Sequence, residues 1–392
     1  MEKPIQRKIA IVSYSDSEGG AATAARRLFE ALRENSKNTK IDFLVYRKFI
    51  SSSTRFSLIT RISIYFIEKI ESVIKRIIVK NNTQMSFLIC RNFILHLEFL
   101  IRNYDVINFH WTGGVLFDYF KLNKTKIFWS LHDMNPFTGG CHYNEKCQEF
   151  KNKCENCILL KSNHRIFSKT HFKIKKRLSV KQINFISLSN WIGNELMESS
   201  IFNSDMHKVT NLPNTINTSH FKPLVNQRKI YDVMFICTDL SDYRKGGRYV
   251  LQLIKNNKHL KFLIIGSKSN KFLSKYPNLT LAGSIRSEDK LINFYRQSKA
   301  TVLPSIQENL SNVILESLSC GTPVVGFDIG GNRDFIKHDF LGDLSKKIDI
   351  EGFEKSLKRV LDSNVNAMKI HNYICKNYSY NIISKKYDEL FI

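Results

Sequence analysis

The chain lacks the features that would mark a membrane-spanning or disulfide-stapled protein. Its 392 residues contain no uninterrupted apolar run of about 18, so a transmembrane helix is not expected. The opening MEKPIQRKIAIVSYSDSEGG has no apolar core followed by a small-residue cleavage site, so secretion is not expected. Eight cysteines are too few for a disulfide scaffold, although four of them crowd together. The three spaced glycines of a dinucleotide fingerprint are missing, which argues against NAD. Acidic residues are scarce as well: 35 Asp plus Glu against 60 Lys plus Arg leave a formal charge of +25. A field of that sign favours anionic partners, and nucleic acid, acidic lipid and nucleotide phosphates all qualify. With 43% hydrophobic and 24% charged residues, the chain can build a core and disorder is excluded as its main state. Its length suits two or three domains.

In the first half, KIAIVSYS, the turn DSEGG and AATAARRLFEALREN read as strand, tight turn and helix. Gly19 and Gly20 permit close backbone approach before the helix N-terminus, where a phosphate or sugar can bind. A plain turn of small residues gives the same pattern. IDFLVY (41–46), YDVINFH (104–110) and KIFWSLHD (126–133) read as further strands. Chemistry in open α/β sheets gathers at the C-terminal strand ends, which singles out His110 and the pair His132–Asp133. Between Phe49 and Arg102 lie eight Lys or Arg and three Glu among many apolar residues. Ile59, Ile62, Phe66, Ile70, Ile74 and Ile77 recur at helical spacing, with Arg61, Lys69, Lys75, Arg76 and Lys80 around them. That pattern fits a basic amphipathic helix on an acidic membrane surface, and equally a helix packed on its own sheet.

Cys141, Cys147, Cys154 and Cys157 form the crowded group, CHYNEKCQEFKNKCENC. Four thiolates so close in sequence can close a tetrahedral zinc site; free thiols and disulfides are the alternatives. From Lys161 to Lys181 there are eight Lys or Arg and no acid, which reads as a solvated or membrane-facing surface. NFISLSNWIGNELMES (184–199) is a strand and then a helix.

LPNTINTSHFKP (212–223) reads as a linker, after which strand and helix patterns restart with YDVMFICTD, KFLIIGS, LTLAGSI, ATVLPS and PVVGFD. Short apolar strands with crossover helices predict a parallel sheet, and hence two α/β domains with a cleft between them. Three features of the second domain carry chemistry. Arg244 and Lys245 in DYRKGG are two cations in a strand-to-helix turn, suited to a diphosphate. Glu308 and Glu316 flank a helix start near Asn309 to Asn312, which offers unbonded backbone N–H groups, and carboxylates accept hydrogen bonds from sugar hydroxyls. Gly330 and Gly331 follow another strand, where backbone must come close to something.

Glu308-x7-Glu316 followed by CGTPVVGFDIGG resembles the retaining GT-B glycosyltransferases of the glycosyltransferase 4 family. LHDMNPFTGGCHY and its trailing cysteines look like a bacterial polysaccharide branch, similar to colanic-acid-type transferases. The resemblance implies two Rossmann-like domains facing across a cleft. It assigns residues 1–212 to an acceptor-side domain, 213–228 to a linker, 229–370 to a nucleotide-sugar domain, and 371–392 to a C-terminal helix crossing back. It implies that Glu316 binds the ribose and Glu308 the donor sugar, with Arg244 and Lys245 neutralising the leaving diphosphate. His132 would meet the sugar near the reacting carbon. Gly19, Gly20, Ile285, Asn309, Leu310, Ser311 and Asn312 would line the donor site, although NLSNVIL replaces the glycine-rich text usual between the glutamates. Asp133 is a candidate helper.

The expected activity is transfer of a sugar from a UDP- or GDP-linked donor to a lipid-linked oligosaccharide. Its setting is bacterial O-antigen, capsule or exopolysaccharide synthesis, on the cytoplasmic face of the inner membrane. No metal is required for catalysis, a structural zinc is one of the readings open for the cysteines, and no nucleic-acid partner is expected. The rival functions are a GT-B-fold sugar-nucleotide epimerase and a non-enzymatic zinc-containing nucleic-acid-binding protein.

Overall fold

A computed structural model of the chain describes residues 7–16, 19–37, 39–45, 66, 69–70, 72–80, 84–86, 103–112, 125–266, 273 and 275–392. These divide into two compact units, 1–213 with 384–392, and 214–383.

The first unit is built on a six-stranded sheet in the order β2-β1-β3-β4-β5-β6. Its strands are β1 (Arg7–Ser13), β2 (Thr39–Val45), β3 (Val106–Phe109), β4 (Lys126–Leu131), β5 (Ile183–Ser187) and β6 (His207–Asn211). All neighbours run parallel, as in β1 on β3 and β3 on β4. Parallel strands are covered on both faces, so they read as continuous apolar runs. VINF of β3 is buried at every position. Helix Gly20–Asn35 follows β1 and buries Ala24, Ala25, Leu28, Ala31 and Leu32 on one face. In helix Asn190–Glu198 the Ser189 side chain accepts the Ile192 N–H, so serine caps the start.

The basic stretch 161–181 is not simply a solvated surface. Helix Ile166–Lys175 runs through it and buries Ser168, His171, Phe172 and Lys175. These fall at helical i, i+3 and i+4 spacing, while Lys169, Lys173, Lys176 and Arg177 stay exposed. Charge content hid the apolar face, because the buried residues on that face include a lysine and a histidine.

The second unit holds another parallel sheet, ordered β12-β11-β10-β7-β8-β9. Its strands are β7 (Tyr231–Ile236), β8 (Phe262–Ile265), β9 (Leu279–Gly283), β10 (Ser298–Leu303), β11 (Val324–Phe327) and β12 (Gly342–Ser345). The strand order reverses between β7 and β10, and in such sheets that crevice outside the C-terminal strand ends is where ligands bind. Two apolar clusters cover the two faces, one around Met234, Leu263 and Ile314, the other around Phe235, Val302 and Phe327. The stretch 212–223 is packed rather than loose: Ile216 and Phe221 are buried in the first of these clusters, and Thr215 donates to the Tyr378 carbonyl.

Of the proposed amphipathic stripe, Ile59, Ile62 and Arg61 lie outside the described residues. The remainder splits. Ile74 packs beside Ile78, Met85, Cys157, Leu159 and Leu160. Phe66, Ile70, Val73 and Ile77 are each more than half exposed.

Candidate active site

In the second unit, the loops after β7, β10 and β11 meet. After β7 the chain makes a tight turn at Tyr243–Lys245, in which the Asp242 carboxylate accepts the Arg244 N–H at 2.9 Å and the Arg244 guanidinium at 3.3 Å. Gly246 follows at φ 71°, and a Cβ there would stand 1.9 Å from the Pro304 carbonyl oxygen. Only glycine lets this turn press against the end of β10. The Ile306 N–H then donates to the Arg244 carbonyl.

This approach brings the Lys245 ammonium to the Glu308 carboxylate at 2.6 Å, across the point where strand order reverses. Glu308 is buried. Burial works to raise its pKa, but Lys245 and Arg244 outweigh it and hold the carboxyl below its ordinary value. Gly330, at φ 50°, comes in from β11; a Cβ on it would lie 1.7 Å from the Glu308 carbonyl oxygen. The Gly331 N–H donates to the Asn309 carbonyl. The close neighbour that Gly330 implied in the sequence is therefore the Glu308 backbone.

Glu316 sits on helix Asn312–Ser319 and is buried, so it is not a surface helix glutamate. It accepts a hydrogen bond from the Tyr295 hydroxyl at 2.9 Å, from helix Glu288–Gln297. A buried carboxylate needs such partners. Asn309 and Ser311 are buried, and Asn312 accepts from the Asn214 side chain at 3.0 Å. Leu310 and Ile285 pack against the same core cluster. The two expected cations are not alone: Arg244 is paired with Asp242 and Lys245 with Glu308. Tyr295 escaped the sequence reading, because nothing in LINFYRQ marks the tyrosine as facing the next helix.

The first unit carries its own polar cluster at the ends of β3 and β4. Ser130 donates to the Asn108 side-chain oxygen at 3.0 Å, the Asn108 amide meets His110 Nε2 at 3.2 Å, and His110 Nδ1 meets His132 Nε2 at 2.8 Å. The direction of this chain is fixed from its start. The Asn108 oxygen is taken, so its NH2 donates to His110 Nε2. In the matching tautomer His110 Nδ1 carries the proton and donates to His132 Nε2. Burial pushes His132 down to about 4, against the pull of Asp133. It pushes His110 well down too, with His132 adding to the effect. Both rings are therefore neutral at neutral pH.

Asp133, the candidate helper, is committed elsewhere. One oxygen accepts the Asn135 N–H at 2.9 Å and the other His142 Nδ1 at 2.5 Å, while His142 Nε2 meets the Ser86 hydroxyl. Burial opposes ionisation of Asp133, yet His142 and Asn135 hold its carboxyl below the ordinary value. His142 was missed because it stands among the cysteines and was read only as their spacer. His110, Trp111, Thr112, His132, Asp133 and Pro136 line a pocket of about 10 Å³, room for roughly one water. Gly19 precedes helix Gly20–Asn35 at φ 88°, with nothing within 4 Å of a Cβ placed there. Cys141, Cys147, Cys154 and Cys157 line one small cavity in this unit. Among the described residues, no three His, Cys, Asp or Glu side chains stand in the closed arrangement of a metal site.

Two parallel α/β units of this kind define the GT-B architecture. Residues 231–378 match the family model described as Glycosyl transferases group 1. Similar solved structures include a glycosyltransferase from Rickettsia africae (TM-score 0.60, 13% identity, 99% of this chain and 98% of that one). Another is Anabaena Alr3699/HepE in complex with UDP (TM-score 0.61, 12% identity, 98% and 99%). At these identities the likeness speaks for the fold. A UDP-Gal:alpha-D-GlcNAc-diphosphoundecaprenol alpha-1,3-galactosyltransferase of Escherichia coli is 34% identical over 105 residues, 26% of this chain and 27% of that protein. A D-inositol 3-phosphate glycosyltransferase of Acidothermus cellulolyticus is 35% identical over 79 residues, 20% and 18% respectively. The chain thus spans about a quarter or less of the length of these two curated relatives. The chain has the GT-B fold, and its second unit is similar to the group 1 glycosyl transferases.

Proposed function

We propose that the chain is a retaining glycosyltransferase that moves a sugar from a UDP- or GDP-linked donor to a lipid-linked oligosaccharide in bacterial surface-polysaccharide assembly. The observation that carries this reading is the Lys245–Glu308 pair spanning the reversal of strand order, with buried Glu316 nearby in sequence, all inside the segment that matches the family model. The lipid-linked acceptor draws support from the Escherichia coli relative, whose name specifies a diphosphoundecaprenol substrate.

On this reading Glu316, held by Tyr295, accepts the ribose hydroxyls. Glu308 accepts hydroxyls of the donor sugar, and Gly330 and Gly331 hold its loop in place. Breaking the sugar–phosphate bond builds negative charge on the leaving diphosphate. Lys245 and Arg244 stabilise it, and both are pre-positioned by their carboxylate partners, so little reorganisation is needed in the transition state. Same-face attack lets the departing phosphate take the acceptor's proton. His132 then serves as a neutral hydrogen-bonding group beside the sugar rather than as an acid, because its ring stays uncharged.

The exposed residues Phe66, Ile70, Val73 and Ile77, beside Lys69, Lys75 and Arg76, support contact with an anionic membrane surface. No helix of the described residues is long and apolar enough to cross a membrane.

The test is a thermal-shift screen of nucleotide sugars, then product analysis with a polyprenyl-diphosphate-linked saccharide and assignment of the new anomeric centre. Transfer with the donor's configuration kept is the expected result. Interconversion of the donor without acceptor would mean an epimerase. Submicromolar, salt-dependent nucleic-acid binding without any nucleotide-sugar binding would overturn the enzyme reading.

A further inference from the structure

The cysteine segment is not used by this mechanism, yet it is built with care. Cys141, Cys147, Cys154 and Cys157 line a cavity of about 20 Å³ together with Met85, Phe150 and Leu159, among others. That volume takes one atom or ion of about water size and no nucleotide or sugar. The seven described cysteines are free thiols, and these four are the only ones of the seven on this cavity.

Backbone donors point at the sulfurs. Burial pushes the Cys154 and Cys157 thiols up, and the backbone N–H groups of Gly139, and of Leu159 and Leu160, act against that push. A neutral thiol is a weak acceptor; such donors matter when the sulfur is a thiolate. Gly139 is needed for its approach, since a Cβ there would stand 2.9 Å from the Cys154 Cβ and 2.7 Å from the Ser168 carbonyl oxygen.

A buried cation lies on the same face of the segment. Lys175 is 1% exposed, and its ammonium is held by the carbonyls of Asn135 and Thr138 and by the Asn135 side chain. The acidic groups that act on it are Cys141, Asp133 and Cys154. Asp133 is already engaged with His142. The Asp133 carboxylate supplies one counter-charge to this buried ammonium, and an anionic sulfur cluster would add to it.

We propose that Cys141, Cys147, Cys154 and Cys157 together bind one Zn2+ ion as a closed structural site. Binding converts four thiols and Zn2+ into a zinc tetrathiolate of charge −2 and releases four protons, and Lys175 offsets part of that charge. The sulfurs must draw in from their places around the cavity, because among the described residues no closed metal arrangement already exists. With four protein ligands no position is left for substrate, so the ion braces the chain. What it braces is the support of Asp133. Cys141 pairs with Met85 in a short bridge, the adjoining His142 bonds Asp133, and Cys157 packs in the cluster that includes Ile74 and Ile78.

The full chain, purified without chelator, should carry about one zinc per chain by elemental analysis. Titrating it with an organomercurial should release that zinc as the four thiols react, and adding Zn2+ to the stripped protein should liberate protons. Cobalt in place of zinc should give the intense thiolate charge-transfer absorption of a tetrahedral sulfur site. Cys147→Ser, at a half-buried position, should lose most of the metal, whereas Cys375→Ser in the other unit should keep it. Stripping should lower the melting temperature while UDP or GDP binding persists, so this result stands apart from the proposed transferase activity. No zinc, iron in its place, or zinc retained by Cys147→Ser alongside unreacted thiols would overturn the site.

Discussion

At the scale of single residues, burial makes the chemistry. Glu316 is buried with Tyr295 as its partner, and a ligand's hydroxyls would be further hydrogen-bond donors to it. Glu316→Ala should therefore weaken binding of free UDP or GDP by about 1.5–3 kcal/mol, the range for hydrogen bonds to a charged group. Calorimetry measures this directly, and unchanged affinity would remove Glu316 from the ribose site. The histidine pair gives a pH prediction. His132 has a folded pKa of about 4 against an ordinary 6.5, and His110 is lowered too. Between those values the unfolded chain binds protons that the folded chain refuses, so stability should fall as pH drops from 6.5 towards 4. Each unit of depression is worth about 1.4 kcal/mol per ring. Urea midpoints taken across that window should decline for the native chain and less steeply for a His110→Asn, His132→Gln variant. Parallel curves would mean that the rings titrate normally.

At the scale of elements, two glycines join three loops. Gly246 lies against Pro304 and Gly330 against the Glu308 carbonyl, both with positive φ. A methyl group at either place must push backbone apart, in a conformation that already disfavours other residues. Gly330→Ala should lower stability by at least about 2 kcal/mol and displace Glu308, so that turnover falls more than the loss of folded protein accounts for. Circular dichroism melts with parallel rate measurements would show it; a wild-type melt and rate would mean that the loop has slack. The Arg244→Ala, Lys245→Ala double variant should act differently. It removes charge that the leaving group needs in the transition state and also strips buried Glu308 of its counter-charges, so kcat should fall by more than the accompanying drop in melting temperature accounts for. Equal turnover would put the phosphate site elsewhere.

At the scale of the whole molecule, charge dominates. A surplus of +25 favours anionic surfaces, and exposed Phe66, Ile70, Val73 and Ile77 add an apolar contact in the first unit. The chain should float with anionic vesicles, bind neutral ones weakly and come off in high salt, since each near-surface cation contributes about 1 kcal/mol that salt screens. Replacing Lys69, Lys75 and Arg76 by Gln should reduce flotation and spare turnover on a soluble acceptor analogue. Equal flotation with neutral and anionic lipid would end the membrane reading.

The sequence by itself determined what local pattern can encode. Parallel strands covered on both faces must be short apolar runs, which is why VINF, KIFWSL, FLII and VVGF could be read directly and why the two α/β units follow. Glu308, Lys245 and the glycine pair at 330–331 were legible as candidates because strand ends are where such sheets do chemistry, and Glu316 through its spacing from Glu308 in the family resemblance. Partners were not legible. Lys245 meets Glu308 across 63 positions, and Glu316 meets Tyr295 across 21. Only the packing of adjacent strands and helices sets those pairs. The basic stretch misled for the same reason: Lys175 counts as surface charge in a composition, and only the fold shows it buried beside the cysteines. Spacing along a chain fixes which face of one element a residue occupies. Which other face it meets, and so its charge state and its role, is decided by the closure of the core around it.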